Sequence, residues 1–153
     1  MDDEVISLAR EPQSAAESLA WKRRQAVAAI LRPRADSIRA GVLAEARRAV
    51  SVTAVLTPEQ MEEALTSLPL ALDALATDDV QRAALLAEFA RPVRELVGRG
   101  VPELVQRGLA RIGFLLARGI VHEHARETAF SLADLEAELV HYEAEFERVV
   151  FTS

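Results

Sequence analysis

Three histidines are the metal-binding and acid–base candidates of note in this 153-residue chain, which has no cysteine. His122 and His124 stand two residues apart, so on a helix they point to different faces, and a shared metal would need a strand or loop between them. Glu138 and His141 have the Glu-x-x-His spacing of di-iron helical bundles. Such sites need two copies of the motif and further inward glutamates, and only one copy is present. Each histidine therefore reads as a solvated surface group, with no metal site. The missing cysteines remove disulfides, thiolate chemistry and Cys-based zinc sites. No P-loop, no glycine pattern for a dinucleotide after a strand and no Gly-x-Ser-x-Gly elbow occurs. The expectation is a non-enzymatic protein without a cofactor.

The elements that would position such groups are helical. Ala, Leu, Glu and Arg abound, half the residues are hydrophobic, and aromatics are few. Five of the six glycines fall between Gly98 and Gly119. Pro102 suits the start of a helix running to about Gly119. Val101, Leu104, Val105, Ile112, Leu115 and Leu116 share one broad face at 3.6 spacing, and Arg107, Arg111 and Arg118 form a basic edge. Each glycine inside a helix costs ~1 kcal/mol relative to alanine. Gly108 and Gly119 project nearly in register, so either a second helix backbone or a flat ligand is expected to lie against this strip.

Earlier in the chain, Val5, Ile6 and Leu8 suggest a short helix, and Pro12 opens a longer one to Leu31. Leu19, Ala26, Val27, Ile30 and Leu31 form its stripe, and Trp21 lies off it. Pro33 opens the next helix, with Ile38, Val42, Ala46, Ala49 and Val50 inward. At Leu56–Met61, Thr57 is an N-cap, Pro58 the first helical residue and Gln60 the capping-box partner, with Leu56 and Met61 as a hydrophobic staple. The helix from Pro58 carries Met61, Leu65, Leu68, Leu72 and Leu75, and Pro69 is expected to kink or divide it. Thr77-Asp78-Asp79 caps a further helix bearing Val80, Leu85, Leu86, Phe89, Val93, Leu96 and Val97, with a bend expected at Pro92. Kinked helices leave space between them. An apolar ligand pocket bordered by Leu68, Leu72, Phe89, Val93, Ile112, Gly113 and Leu116 is therefore expected.

The final helix starts near a Ser131–Asp134 capping box. Leu132, Leu135, Leu139, Tyr142, Phe146 and Val149 follow a/d heptad spacing. That stripe needs a partner helix, either on its own domain or across a dimer interface. A homodimer through these six residues is expected, since a monomer leaving them in water would expose a contiguous apolar patch.

The chain fits one all-α domain, residues 1–153, globin-like or bundled, of about six helices with kinked central ones. Net charge is −6. It is uneven: residues 1–50 carry nine Lys/Arg against seven Asp/Glu, and residues 119–153 carry two against eight. This disfavours nucleic acid as a partner, and Lys22, Arg23, Arg24, Arg32, Arg34 and Arg39 read as a solvated basic face. The acidic N-terminus is unlike a signal peptide, and no apolar run reaches the ~20 residues of a membrane helix. A soluble, cytoplasmic protein is expected.

Arg111-Ile112-Gly113 followed by Arg118 resembles, without gaps, the signature of globin-coupled sensor domains, in which Arg-Ile-Gly precedes the proximal histidine by three residues and a second arginine follows. Ala129-Phe130 aligns with the Ala-Tyr that ends that signature. Leu116 stands at the histidine's position, and Ala125-Arg126 replaces its Trp-Tyr. The resemblance implies a non-haem sensor globin of the stressosome type, a dimeric α-helical input domain. The LTPEQ start at 56–60, the Leu-rich helix and Arg-Gly-Val-Pro-Glu-Leu at 99–104 are also similar to the helical N-terminal domains of stressosome co-antagonists and related bacterial regulators. The functional expectation is a regulatory signal-input domain that takes a small apolar ligand, addresses a downstream regulatory protein and signals through its C-terminal helix. A helical interaction module without ligand is the alternative, and an iron- or haem-binding protein using His122, His124 or His141 is a third.

Overall fold

The computed structural model describes residues 15–151, so the short helix expected at Val5–Leu8 and the Pro12 start lie outside the described residues. Among these the fold is all-α, with no strand, and six helices have nine residues or more. In chain order the helices are α1 (Ala15–Leu31), α2 (Ala35–Arg48), α3 (Val50–Thr53), α4 (Pro58–Ala64), α5 (Leu68–Ala76), α6 (Asp79–Gly98), α7 (Glu103–His124) and α8 (Leu132–Val150). One 3₁₀ turn containing Pro33 joins α1 to α2, and another follows α7.

Local chemistry fixes most boundaries. Thr57 Oγ1 accepts from the Gln60 N–H while Gln60 Oε1 accepts from the Thr57 N–H, a complete capping box, and the staple pair Leu56 and Met61 is buried. The Asp78 and Ser131 side chains accept from the Gln81 and Asp134 N–H groups and so cap α6 and α8. Pro69 divides the Leu-rich segment by starting α5 in its first turn. Pro92 does not break α6, which runs through it to Gly98. Gly100 has φ +94°, with Gly100 N–H donating to Val97 O and Val101 N–H to Leu96 O, both at 3.0 Å. This is a Schellman stop, and its accompanying apolar contact is available because Leu96 and Val101 are both buried.

The helix α8 packs against α1, α6 and α7, and α7 in turn contacts α2 and α1, while α5 lies on α1 and α6. A single buried cluster runs through all of them. The carbonyl end of α5 is held by three side chains from other helices. Arg82 donates through Nε to Ala74 O and through Nη2 to Leu75 O, Gln25 Nε2 donates to Ala76 O, and Arg24 Nη1 donates to Thr77 O. Cationic donors at this end complement the helix dipole as well as its free carbonyls.

Several sequence expectations are corrected here. The inward face of α7 carries Gln106, Leu109, Ala117 and Val121, and Leu104 and Leu115 are exposed at 73% and 66%. The most buried positions lie to one side of the face that aliphatic spacing picks out, of which Val105, Ile112 and Leu116 are still partly buried against the core. Leu109 and Val121 pack there beside Ala117 and Gln106, and Phe89, Tyr142 and Phe146 add bulk from α6 and α8. Val50 and Leu19 are exposed rather than inward. No close approach explains Gly108 or Gly119, because a Cβ added at either meets nothing within 4 Å. The tight crossing is at Gly41 on α2, where a Cβ would stand 2.7 Å from Leu116 Cδ1 of α7. Gly108→Ala and Gly119→Ala are therefore expected to raise unfolding stability by about 0.5–1 kcal/mol each, because only helix propensity changes. Urea unfolding checks this, and destabilisation by either variant would mean that something packs on that face.

Candidate apolar ligand cavity

A cavity of about 100 Å³ lies between α2, α5, α6, α7 and α8. Leu68 and Leu72 come from α5, Phe89 and Val93 from α6, and Gly113 from α7, as the sequence leads one to expect. Ile112 and Leu116 do not line it. They lie off the inward face of α7, and the Leu116 side chain lies against Gly41. Gly113 leaves room at this wall, since a Cβ there would meet only Val42 Cγ2, at 3.7 Å.

Aromatic residues from α6, α7 and α8 form much of the remaining wall. Phe146 meets Phe89 edge to face at a centroid distance of 4.9 Å, Phe114 at 5.3 Å and Phe151 at 6.0 Å, and Phe114 lies 5.8 Å from Tyr142. Four of the chain's five phenylalanines and its one tyrosine thus border the same space.

These aromatic residues include part of the heptad stripe, which packs against the core of its own chain. Leu135, Leu139, Tyr142 and Phe146 are at most 3% exposed, and Leu132 and Val149 are half-buried against the same core. The partner helices of the stripe belong to its own chain, so a second subunit could reach these residues only by opening the core.

Two polar side chains enter the lining. Tyr142 Oη donates to Ala71 O at 2.6 Å, and the Arg82 guanidinium lies 4.8 Å from its ring centroid. Burial pushes the Tyr142 phenol well above its ordinary range, so it stays protonated. Gln106, 5% exposed, donates through Nε2 to Val93 O at 3.1 Å and Val101 O at 3.5 Å. The sequence pattern missed this residue, although an uncharged amide one turn into an apolar helix was a visible signal.

Charged groups stay at the edges. Arg82, fully buried, ion-pairs with Glu145 at 2.5 Å. Buried Glu138 is approached by Arg24 at 3.4 Å and Arg23 at 3.9 Å, and Arg24 also holds Asp79, whose carboxyl is lowered by that hydrogen bond. Arg32 pairs with Asp73, Arg34 with Glu127 and Arg39 with Glu62. The basic N-terminal segment is thus largely matched to acids elsewhere in the chain. His122 and His141 are exposed, and His124 sits between Arg34 and Glu127, whose carboxyl it lowers. No group of three or more His, Cys, Asp or Glu suited to a metal occurs among the described residues, and none of their helices is long and apolar enough to cross a membrane.

Apart from Tyr142 and Gln106 the side chains of the wall are apolar, an arrangement suited to a small apolar molecule. No protein-family model, curated protein or solved structure matches the chain.

Proposed function

We propose that this protein is a non-enzymatic regulatory input domain that binds a small apolar ligand in the central cavity and passes its occupancy on through α8. The observation that carries the reading is that Leu139, Tyr142 and Phe146 of α8 line the cavity directly. A molecule entering it presses on the helix that would lead to an output. The resemblance of Arg111-Ile112-Gly113 to sensor globins supports the same class, with Leu116 in place of an iron ligand and hence no haem. A homodimer and a downstream regulatory protein remain the partners of this reading, and their contact moves off the buried stripe.

Filling the cavity tests it. Gly113→Leu is expected to leave stability unchanged or raised, because helix propensity improves and the side chain enters existing space. Saturating toluene is expected to raise the melting temperature of the wild type and not that of the variant. Native mass spectrometry of protein purified from cell extract is expected to show a bound small molecule that the variant lacks. A wild type that neither responds to toluene nor carries a molecule sinks the reading in favour of a ligand-free interaction module.

A further inference from the structure

We infer that the cavity selects a ligand carrying one hydrogen-bond donor, an O–H or N–H on a small apolar frame, and that Gln106 Oε1 is its acceptor. This rests on the ligand-binding reading above and specifies the chemistry of the same site. Both Gln106 hydrogen bonds run from Nε2, to carbonyls of α6 and of the turn before α7. Two acceptors facing one end of the amide fix its orientation, so the oxygen is the end turned away from them. No described residue donates to Oε1. Among the described residues, the side-chain nitrogen and oxygen atoms shut off from open space without a hydrogen-bond partner are Arg24 Nε, which lies 3.4 Å from Glu138, and Arg107 Nε. Gln106 Oε1 is not among them, and the open space that Gln106 borders is the cavity.

An amide oxygen held against apolar walls without a donor is costly, and an incoming donor would offset that cost. The other polar side chain of the lining, Tyr142, spends its proton on Ala71 O. Its oxygen can still accept, but the side chains of the site have no proton left to donate. An ordered water needs two to four polar partners, and this wall is poorly equipped to supply them. The site therefore discriminates by polarity: a pure acceptor such as a ketone or ether meets only oxygens, whereas an alcohol, phenol or amine N–H meets one placed acceptor. A cavity of about 100 Å³, against the ~150 Å³ that encloses benzene in an engineered core, limits the frame to one small ring, and a substituted ring such as phenol or toluene enters only with some outward movement of the walls.

Phenol and toluene, nearly equal in shape, provide the test by calorimetric titration of the full chain. Wild type is expected to bind phenol at least as tightly as toluene, although water holds phenol more strongly. Gln106→Met, similar in volume, is expected to weaken phenol about tenfold and to change toluene less than about threefold. In wild type enriched with ¹³C at the glutamine side-chain carbonyls, phenol and not toluene is expected to shift the Gln106 signal, a readout that does not depend on the variant folding. Toluene binding with phenol much weaker, an unshifted Gln106 carbonyl, or a phenol preference that survives in Gln106→Met overturns the inference and leaves the cavity a binding site. If neither compound binds wild type, the ligand-binding reading fails together with it.

Discussion

Arg82→Ala is expected to destabilise the protein by about 3–5 kcal/mol, a large share of the 5–15 kcal/mol that holds a domain of this size together. Arg82 is 0% exposed and joins three elements: it caps two carbonyls of α5, pairs with Glu145 of α8 and lies against the Tyr142 ring from its place on α6. Its partners would not suffer equally. Ala74 O keeps the Thr77 N–H and hydroxyl, whereas Leu75 O has only the Arg82 guanidinium as a donor. Glu145 is 22% exposed and has His141 at 3.4 Å, so it can turn towards water. Most of the expected loss is then the stranded carbonyl together with the void, and not the ion pair. Arg82→Lys keeps the charge without the planar fork that reaches two carbonyls and a carboxylate together, and it should fall between wild type and alanine. Urea unfolding decides this, and an alanine variant within 1 kcal/mol of wild type would mean that the α5 terminus is held by Arg24 and Gln25 alone.

What was legible in the sequence divides by range. Thr57-Pro58-Glu59-Gln60, Asp78 and Ser131 announce helix starts because a cap is settled within four residues. Leu96-x-x-x-Gly100-Val101 ends α6 for the same local reason. Five of seven expected pocket residues line the cavity, where Gly113 withholds side-chain volume from the wall. The orientation of α7 was not legible. Its most buried positions are Gln106, Leu109, Ala117 and Val121, while Leu104 and Leu115 face outward, so aliphatic spacing alone does not select them. Which side of α7 faces inward depends on Tyr142, Phe146 and Phe89 across the core, and that is information held by other helices.

The heptad stripe on α8 shows the same limit in another form, since a/d spacing states that a helix needs partners without stating whose. The structure places Leu139 at 1% exposure in its own chain's core, next to Val140 at 42%. Leu139→Glu is accordingly expected to abolish folding or to cost more than ~4 kcal/mol, because a carboxylate would enter apolar surroundings on the cavity wall. Val140→Glu, one residue on and outward, should stay within about 0.5 kcal/mol of wild type. Circular dichroism through a urea titration, followed by sedimentation of whatever remains folded, separates the two accounts of the stripe. An intramolecular seam predicts an unfolded or severely weakened Leu139→Glu and an unaffected Val140→Glu. A Leu139→Glu protein that keeps its helices and its cooperative transition, yet sediments as a smaller species than wild type, would show that α8 meets a second subunit through this face in solution.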